Sequence, residues 1–165
     1  MNTTFRGEYG HTVDEIGRVI VPAKFRAELG ERFVITKGLD GCLFILKEED
    51  WDAKFAKRFE TQPILDASAI KLQRFFTASA VDASVDSQGR VAIVGPLRTW
   101  AQISPMSDVV FIGMTTWIEL WSKFKWDAYV GKQGDDDILE CAKSLGLGGN
   151  PLAAAAPAPA VIVPG

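Results

Sequence analysis

A five-residue phrase, D-x-x-G-R, occurs twice in this chain, at residues 14–18 and 86–90. The copies lie 72 positions apart, and the residues after them match at the same offset: Val19 with Val91, Val21 with Ile93, Phe25 with Leu97, and Arg26 with Arg98. Further matches follow at an offset of 75: Gly38 with Gly113, Leu43 with Ile118, Ile45 with Leu120, and Trp51 with Trp126. A repeat of this length indicates one fold unit used twice.

Each copy spans only about 45 residues, which is too short to hold a full hydrophobic core of its own. We therefore expect the copies to bury their apolar faces against each other, as one intramolecular pseudo-dimer. Of the 165 residues, 47% are hydrophobic and 10% aromatic, which is ample for such a core. The formal net charge of −3 argues against a protein that coats nucleic acid without sequence specificity, although it allows a local basic patch.

The residues around the first phrase predict a hairpin followed by a short helix. Residues 7–21 alternate loosely, Asp14 opens the turn, and Gly17 adopts a positive φ at little cost. Pro22 then ends the second strand and starts a helix that Gly30 closes.

Two continuous apolar runs, 33–36 and 42–46, predict strands buried on both faces, as expected when two units interlock. The second copy repeats this order, with strands predicted at 80–85, 91–94, 109–112 and 117–121.

Helices are predicted where the apolar period changes. Trp51, Phe55 and Phe59 recur every four residues, which predicts an amphipathic helix, and Asp66 can cap a second helix that links the copies. In the second copy the proline comes two places later than in the first, at Pro96. The sequence therefore leaves open where the second short helix starts.

The sequence predicts an α+β, mainly β, protein in five parts: a first module at 8–52, a helical linker at 53–79, a second module at 80–124, a C-terminal helical segment at 125–145, and a disordered Ala/Pro-rich tail at 146–165. Its apolar runs are too short to span a membrane, and its first ten residues are polar. We therefore expect a cytoplasmic protein with free thiols at Cys42 and Cys141.

The order strand, D-x-x-G-R turn, strand, Pro-led helix, strand, strand resembles the SpoVT-AbrB group of swapped-hairpin DNA-binding modules. The opening Phe5-Arg6-Gly7-Glu8, the two copies in one chain, and residues 32–43 are specifically similar to the MraZ family of bacterial transcriptional regulators. The resemblance implies a double swapped-hairpin barrel within one subunit and a ring-like homo-oligomer. It also implies binding to double-stranded promoter DNA at short G-rich direct repeats, upstream of the protein's own operon in the division and cell-wall gene cluster, and hence association with the nucleoid.

The resemblance assigns DNA binding to the D-x-x-x-R positions: Asp14, Arg18, Asp86 and Arg90. An arginine that emerges from a turn can contact guanine O6 and N7 together or clamp a phosphate, and the sequence leaves both open. The aspartate is anionic like the phosphate, so its expected role is to hold the turn and orient the arginine. Without this context, an Asp/Arg pair beside a glycine turn is usually a surface ion pair worth under about 1 kcal/mol.

Three further basic residues are expected near Arg18, where they would contact backbone phosphates: Arg6, Lys24 and Arg26. Between residues 75 and 122 the only basic residues are Arg90 and Arg98. We therefore expect the first module to carry most of the DNA affinity. A ring would then present a weak patch several times to repeated sites.

Other signals are weaker. His11 is the only histidine and has no partner at metal-ligand or catalytic-triad spacing, and residues 135–137 lack the spacing of a calcium loop. The chain also lacks a nucleophile elbow, a phosphate loop and zinc spacing. The sequence thus predicts no enzyme, cofactor, metal or small-molecule substrate. Two alternatives stay open: an antitoxin-like protein-interaction module, or a structural ring protein without DNA binding, which the acidic balance favours.

Overall fold

The computed structural model describes residues 4–147. The chain divides into two compact units, Met1–Trp126 and Asp127–Gly165. The strands of the first unit are β1 (Glu8–Thr12), β2 (Arg18–Ile20), β3 (Arg32–Lys37), β4 (Leu43–Lys47), β5 (Val81–Ser84), β6 (Arg90–Ala92), β7 (Asp108–Gly113) and β8 (Ile118–Ser122). The helices are α1 (Ala23–Leu29), a 3-10 turn (Leu39–Gly41), α2 (Glu48–Asp50), a π-helical stretch (Trp51–Ala56), α3 (Lys57–Glu60), α4 (Ala67–Ser79), α5 (Gly95–Ala101), α6 (Lys123–Gly131) and α7 (Asp135–Ser144).

The strands form two antiparallel sheets, and the modules exchange strands in both. Six strands lie in the order β1-β7-β8-β4-β3-β5, and β2 pairs with β6 in a separate ribbon. The first-module strand β1 thus bonds to β7 of the second module, and the second-module strand β5 bonds to β3 of the first. This exchange is the swapped arrangement that the family resemblance implied, in a mixed α+β fold of antiparallel sheets and short helices.

The hairpin expected over residues 7–21 is wrong in one respect. Its turn forms, but β1 and β2 pair with β7 and β6 rather than with each other. An isolated two-stranded hairpin is at best marginally stable in water, because it has too little apolar area to bury. Exchange places Val13, Val19 and Val21 in the shared core, where each is almost fully buried.

The strand registers follow the repeat. Val19 lies directly opposite Val91 in the ribbon, and Phe44 lies opposite Glu119 in the larger sheet. Each pair joins residues that match between the copies, at offsets of 72 and 75. The modules are therefore related by a pseudo-two-fold axis that passes between these pairs.

One hydrophobic core draws on both modules, as expected for copies too small to fold alone. Its largest fully buried side chains are Phe5, Phe25, Phe33, Phe111, Ile35, Leu43, Ile45, Ile93, Ile118, Leu120, Val13 and Val19.

The displaced proline of the second copy does not shift its short helix. Helix α1 begins at Ala23 and α5 begins at Gly95, which are equivalent positions 72 residues apart. Pro22 immediately precedes α1, whereas Pro96 lies in the first turn of α5. Both places tolerate proline, because the first amides of a helix have no carbonyl partner within it.

The segment between the modules is helical, as predicted. The helical run from Glu48 to Glu60 ends before Pro63, and Asp66 Oδ1 accepts a hydrogen bond from the Ala69 amide at 2.9 Å to cap α4. Helix α4 is attached to β3 through the buried hydroxyl of Thr36, which donates to the Phe76 carbonyl at 2.6 Å.

The second unit contains the end of α6 and α7, and α6 crosses the unit boundary. The acidic residues 135–137 form the first turn of α7, where carboxylates suit the helix N-terminus. No helix within residues 4–147 is long and apolar enough to cross a membrane. The disorder predicted for the tail lies, from residue 148 onward, outside the described residues, and the sequence-based domain boundaries stay predictions.

Candidate nucleic-acid interface

Residues 14–18, here called turn 1, are closed by the side chain of their first residue. Asp14 Oδ1 accepts hydrogen bonds from the amides of Ile16 and Arg18, at 3.0 and 2.8 Å. The Gly17 amide donates to the Asp14 carbonyl at 3.2 Å, and Gly17 has a φ of 86°. The amide of Arg18, with its guanidinium, holds the pKa of Asp14 below its usual value.

Residues 86–90, here called turn 2, repeat this geometry. Asp86 Oδ1 accepts from the amides of Gln88 and Arg90, both at 2.9 Å, and the φ of Gly89 is 78°. The pKa of Asp86 is also held below its usual value, chiefly by the Arg90 amide. The two D-x-x-G-R phrases thus encode the same local structure.

The second oxygen of each aspartate orients the arginine four residues later. Arg18 Nε donates to Asp14 Oδ2 at 2.8 Å, and Arg90 Nε donates to Asp86 Oδ2 at 2.9 Å. The Arg18 side chain is 33% exposed, so solvent screens the ion pair and its effect on stability is small. The ion pair instead orients the guanidinium, because a bond at Nε leaves the two terminal nitrogens available to other partners.

The ribbon places both arginines on one surface. Val19 and Val91 point into the core, so their neighbours along each strand point outward. Arg18 lies opposite Ala92, which makes Arg18 and Arg90 diagonal neighbours about 7–8 Å apart. The outward face of the ribbon consists of Arg18, Ile20, Arg90 and Ala92.

Each turn also receives an arginine from the helix of the other module. The Arg98 guanidinium occupies the space that a Cβ on Gly17 would fill, and its Nη1 donates to the Ile16 carbonyl at 3.3 Å. The Arg26 guanidinium lies in the same way against Gly89. Helix α5 therefore contributes to turn 1, and α1 contributes to turn 2.

This exchange corrects the expected place of Arg26, which lies at turn 2 rather than in a patch built on turn 1. The reason is the crossed pairing of the ribbon. The Val21 amide donates to the Gly89 carbonyl at 3.0 Å, so α1, which follows Val21, starts beside turn 2. The Ile93 amide donates to the Gly17 carbonyl at 2.9 Å and brings α5 to turn 1.

The two remaining basic residues predicted near Arg18, Lys24 and Arg6, lie in different parts of the fold. Lys24 is exposed in the first turn of α1, the helix that starts beside turn 2. Arg6 is exposed before the start of β1, next to the Phe5–Thr115 bridge, whereas turn 1 follows the end of β1. Arg6 thus lies at the opposite end of β1 from turn 1, and DNA contacts by Arg6 and Lys24 stay predictions.

The charge balance of the turns differs from the expectation. At turn 1, Asp14 and Glu15 offset Arg18 and Arg98, so the formal charges cancel. At turn 2, Ser87 replaces the second acid, and Asp86 offsets only one of Arg90 and Arg26. The basic residues of the first module are therefore divided between the two turns, and the expectation that this module carries most of the DNA affinity stays a prediction.

Sequence reasoning left Arg98 out of the candidate site. The repeat contained the missing signal, because Arg98 matches Arg26 at the offset of 72. What the repeat could not show is that each of the two lies against the turn of the opposite copy.

The remaining titratable candidates have structural surroundings. The His11 ring contacts Phe111 edge-on at 5.9 Å, and burial together with the charge of Arg26 lowers the pKa of His11. The thiol of Cys42 is buried, which raises its pKa, and Cys141 is exposed; both are free, as predicted. Among the described residues, no three His, Cys, Asp or Glu side chains come together to hold a metal ion.

Comparison with known proteins finds the repeat again. A family described as "MraZ protein, putative antitoxin-like" matches residues 4–75 and, a second time, residues 76–141. A relative from Caldanaerobacter subterraneus subsp. tengcongensis, named "Transcriptional regulator MraZ", is 47% identical over 139 residues, which cover 84% of this chain and 94% of the relative. Proteins of the same name from Thermoanaerobacter pseudethanolicus and Lachnoclostridium phytofermentans are 50% identical over 139 residues and 48% identical over 143 residues. These alignments cover 84% and 87% of this chain, and 94% and 98% of the two relatives.

Proposed function

This chain belongs to the MraZ family, and from that premise we propose that it is a sequence-specific DNA-binding transcriptional regulator. It recognises short direct repeats in promoter DNA, including those upstream of its own operon in the division and cell-wall gene cluster. The names of its relatives support the regulatory role. The outward face of the β2–β6 ribbon supports the contact with DNA.

The observation that carries this proposal is the pair of oriented arginines on the ribbon. The major groove of B-DNA, about 12 Å wide, admits a two-stranded β-ribbon. Arg18 and Arg90 are diagonal neighbours on the outward face, a relation that sets Cα atoms about 7–8 Å apart, within that width. The terminal nitrogens of a guanidinium held at Nε match guanine O6 and N7, and the exposed side chain of Ile20 suits a thymine methyl group.

Direct repeats in the DNA call for several copies of this face, and we propose that a ring-like homo-oligomer supplies them. Each subunit has a small basic patch in a chain of net charge −3, so one contact alone is weak. Once one subunit is bound, the later contacts become intramolecular and avidity rises. Ile64 and Leu65, which are 87% and 91% exposed between α3 and α4, offer apolar surface for such an assembly. A DNA-bound ring would be associated with the nucleoid.

A titration of the promoter DNA upstream of the gene tests the proposal. We expect wild-type protein to bind with a steep salt dependence, because bound arginines release counterions from phosphates. Arg18→Ala should weaken binding to the repeats by about 1–3 kcal/mol, the usual cost of losing a bidentate base contact. Fluorescence anisotropy at several salt concentrations measures both quantities.

Arg58→Ala is the matched control, because Arg58 is exposed on α3 in the segment between the modules and its loss changes the net charge equally. Equal binding by Arg18→Ala and Arg58→Ala would remove Arg18 from the interface. Failure of the wild-type protein to bind any promoter repeat would contradict the DNA-binding function.

The family description favours one second candidate, an antitoxin-like module that binds a protein partner. A shallow apolar groove between the helical run and α4 could receive a peptide; it is lined by Phe55, Phe59, Leu72 and Phe76. The same titration separates the two functions, since a pure interaction module does not retain promoter DNA.

A further inference from the structure

The helix arginines Arg26 and Arg98 differ from the turn arginines in how their charge is balanced. Arg18 and Arg90 each bond to a carboxylate within their own turn. Within residues 4–147, Arg26 and Arg98 have no carboxylate within 4.0 Å, although both are half-buried against a turn glycine. A fixed cation without a counterion is costly to desolvate, so such a site favours an external anion.

The geometry fixes the place of this charge. A side chain on Gly17 or Gly89 would collide with the guanidinium, so both turns keep their glycine and leave the space to an arginine. Arg98 Nη1 is held by the Ile16 carbonyl, one peptide before Gly17 and two before Arg18. The guanidinium of Arg98, which has no direct carboxylate partner among residues 4–147, therefore lies next to the oriented Arg18 but comes from the other module.

We propose that each DNA-contacting unit is shared between the modules and divides two tasks: the turn arginine reads a base, and the helix arginine of the opposite module binds the neighbouring backbone phosphate. Arg18 acts with Arg98, and Arg90 acts with Arg26. This inference rests on the proposed DNA-binding function and assigns the chemistry within it. Neither module alone then holds a complete contact.

The division of tasks follows from charge and direction. An arginine already paired with an aspartate is nearly neutral as a unit, so it attracts phosphate weakly but stays well directed for a base edge. The helix arginine has the opposite properties, because no carboxylate of residues 4–147 lies within 4.0 Å of its guanidinium, whose charge stays available to the duplex backbone.

Replacing Arg98 by glutamine tests the phosphate role. Arg98→Gln keeps an N–H donor for the Ile16 carbonyl but removes the charge. We expect binding to repeat DNA and to scrambled DNA to weaken by similar factors, and the slope of log K against log salt to flatten by about 0.9. Arg18→Gln should instead reduce the specificity, which is the ratio of the affinity for repeat DNA to the affinity for scrambled DNA, by about tenfold or more.

A double-mutant cycle tests the sharing between modules. Arg18→Gln with Arg98→Gln should deviate from additivity by more than about two-fold in Kd, because the two residues act at one turn. Arg18→Gln with Arg26→Gln, which joins residues of the same module but different turns, should be additive within that limit. Arg98→Lys keeps the charge and should retain the salt slope, which a purely structural role of Arg98 would not require.

Wild-type binding separates the two proposals. If wild-type protein binds and Arg98→Gln leaves the salt slope unchanged, the phosphate role of Arg98 is overturned while the DNA-binding function stands. If Arg18 couples to Arg26 rather than to Arg98, the sharing between modules is overturned. If the wild-type protein binds no DNA, both proposals fall together.

Discussion

At the scale of single residues, Asp14 shows how one carboxylate can serve structure and recognition at once. Oδ1 accepts from two backbone amides and closes the turn, and Oδ2 accepts from Arg18 Nε. The lowered pKa of Asp14 fixes the direction in which its contribution to folding stability changes with pH. Its contribution to stability is present above the pKa of the unfolded chain and is lost as the pH falls through the lower pKa of the folded state.

Asp14→Asn separates orientation from charge. Asparagine can keep the oxygen that accepts from the amides, but its amide nitrogen cannot accept from Arg18 Nε. Loss of a negative charge alone would strengthen DNA binding, whereas loss of orientation would weaken it. We expect weaker binding, by about tenfold, measured as the Kd for repeat DNA.

Asp52→Asn provides the charge-matched control, because Asp52 is exposed in the π-helical stretch Trp51–Ala56, outside both turns. Its binding should be unchanged or slightly tighter. Tighter binding by Asp14→Asn, equal to that of the control, would show that the aspartate does not orient Arg18.

At the scale of secondary-structure elements, much of the chain follows its local sequence. The Asp66 cap of α4 and the two glycine turns form as predicted. The segment with aromatic residues every four positions is helical, as expected, but Trp51–Ala56 is π-helical. These features depend on contacts between residues close in sequence, which the amino-acid pattern contains. Strand pairing depends on distant residues, and the expected hairpin over 7–21 was wrong for that reason.

Two glycines that differ in surroundings give a test at this scale. Gly17 has a positive φ, and a methyl group on it would collide with Arg98, so Gly17→Ala should destabilise the fold by about 1–2 kcal/mol or more. Gly131 is the last residue of α6, has no positive φ and has open space around it, so Gly131→Ala should stabilise by about 0.4–1 kcal/mol.

Urea unfolding measures both changes. Since the two substitutions add the same methyl group, opposite signs would show that the backbone conformation and the packed arginine decide the outcome. Equal shifts would contradict the close approach of Arg98 to turn 1.

At the scale of the whole molecule, exchange of strands makes the two modules mutually dependent. Without the second module, β1 loses β7, β2 loses β6, and β3 loses β5. A fragment of residues 1–79 should therefore have no folded monomeric state. Because Val19 lies opposite its own repeat partner, two fragments can instead pair through β2 as a homodimer.

Light scattering and far-UV circular dichroism across a dilution series test this dependence. The strand signal of the fragment should fall as the dimer dissociates, whereas that of the full chain, whose pairing is intramolecular, should persist. A folded monomeric fragment would show that the first module is self-sufficient.

The sequence by itself determined the repeat, the two turns and their oriented arginines, since each depends on residues within a few positions of one another. It also determined that the copies share a core, because neither is long enough to form one alone. Only the tertiary structure decided which turn each helix arginine serves. Arg26 and Arg98 match in sequence, but the crossed hydrogen bonds from Val21 to Gly89 and from Ile93 to Gly17 set each against the opposite turn. Pairing between strands some 70 residues apart is a property of the packed molecule, and no local pattern contains it.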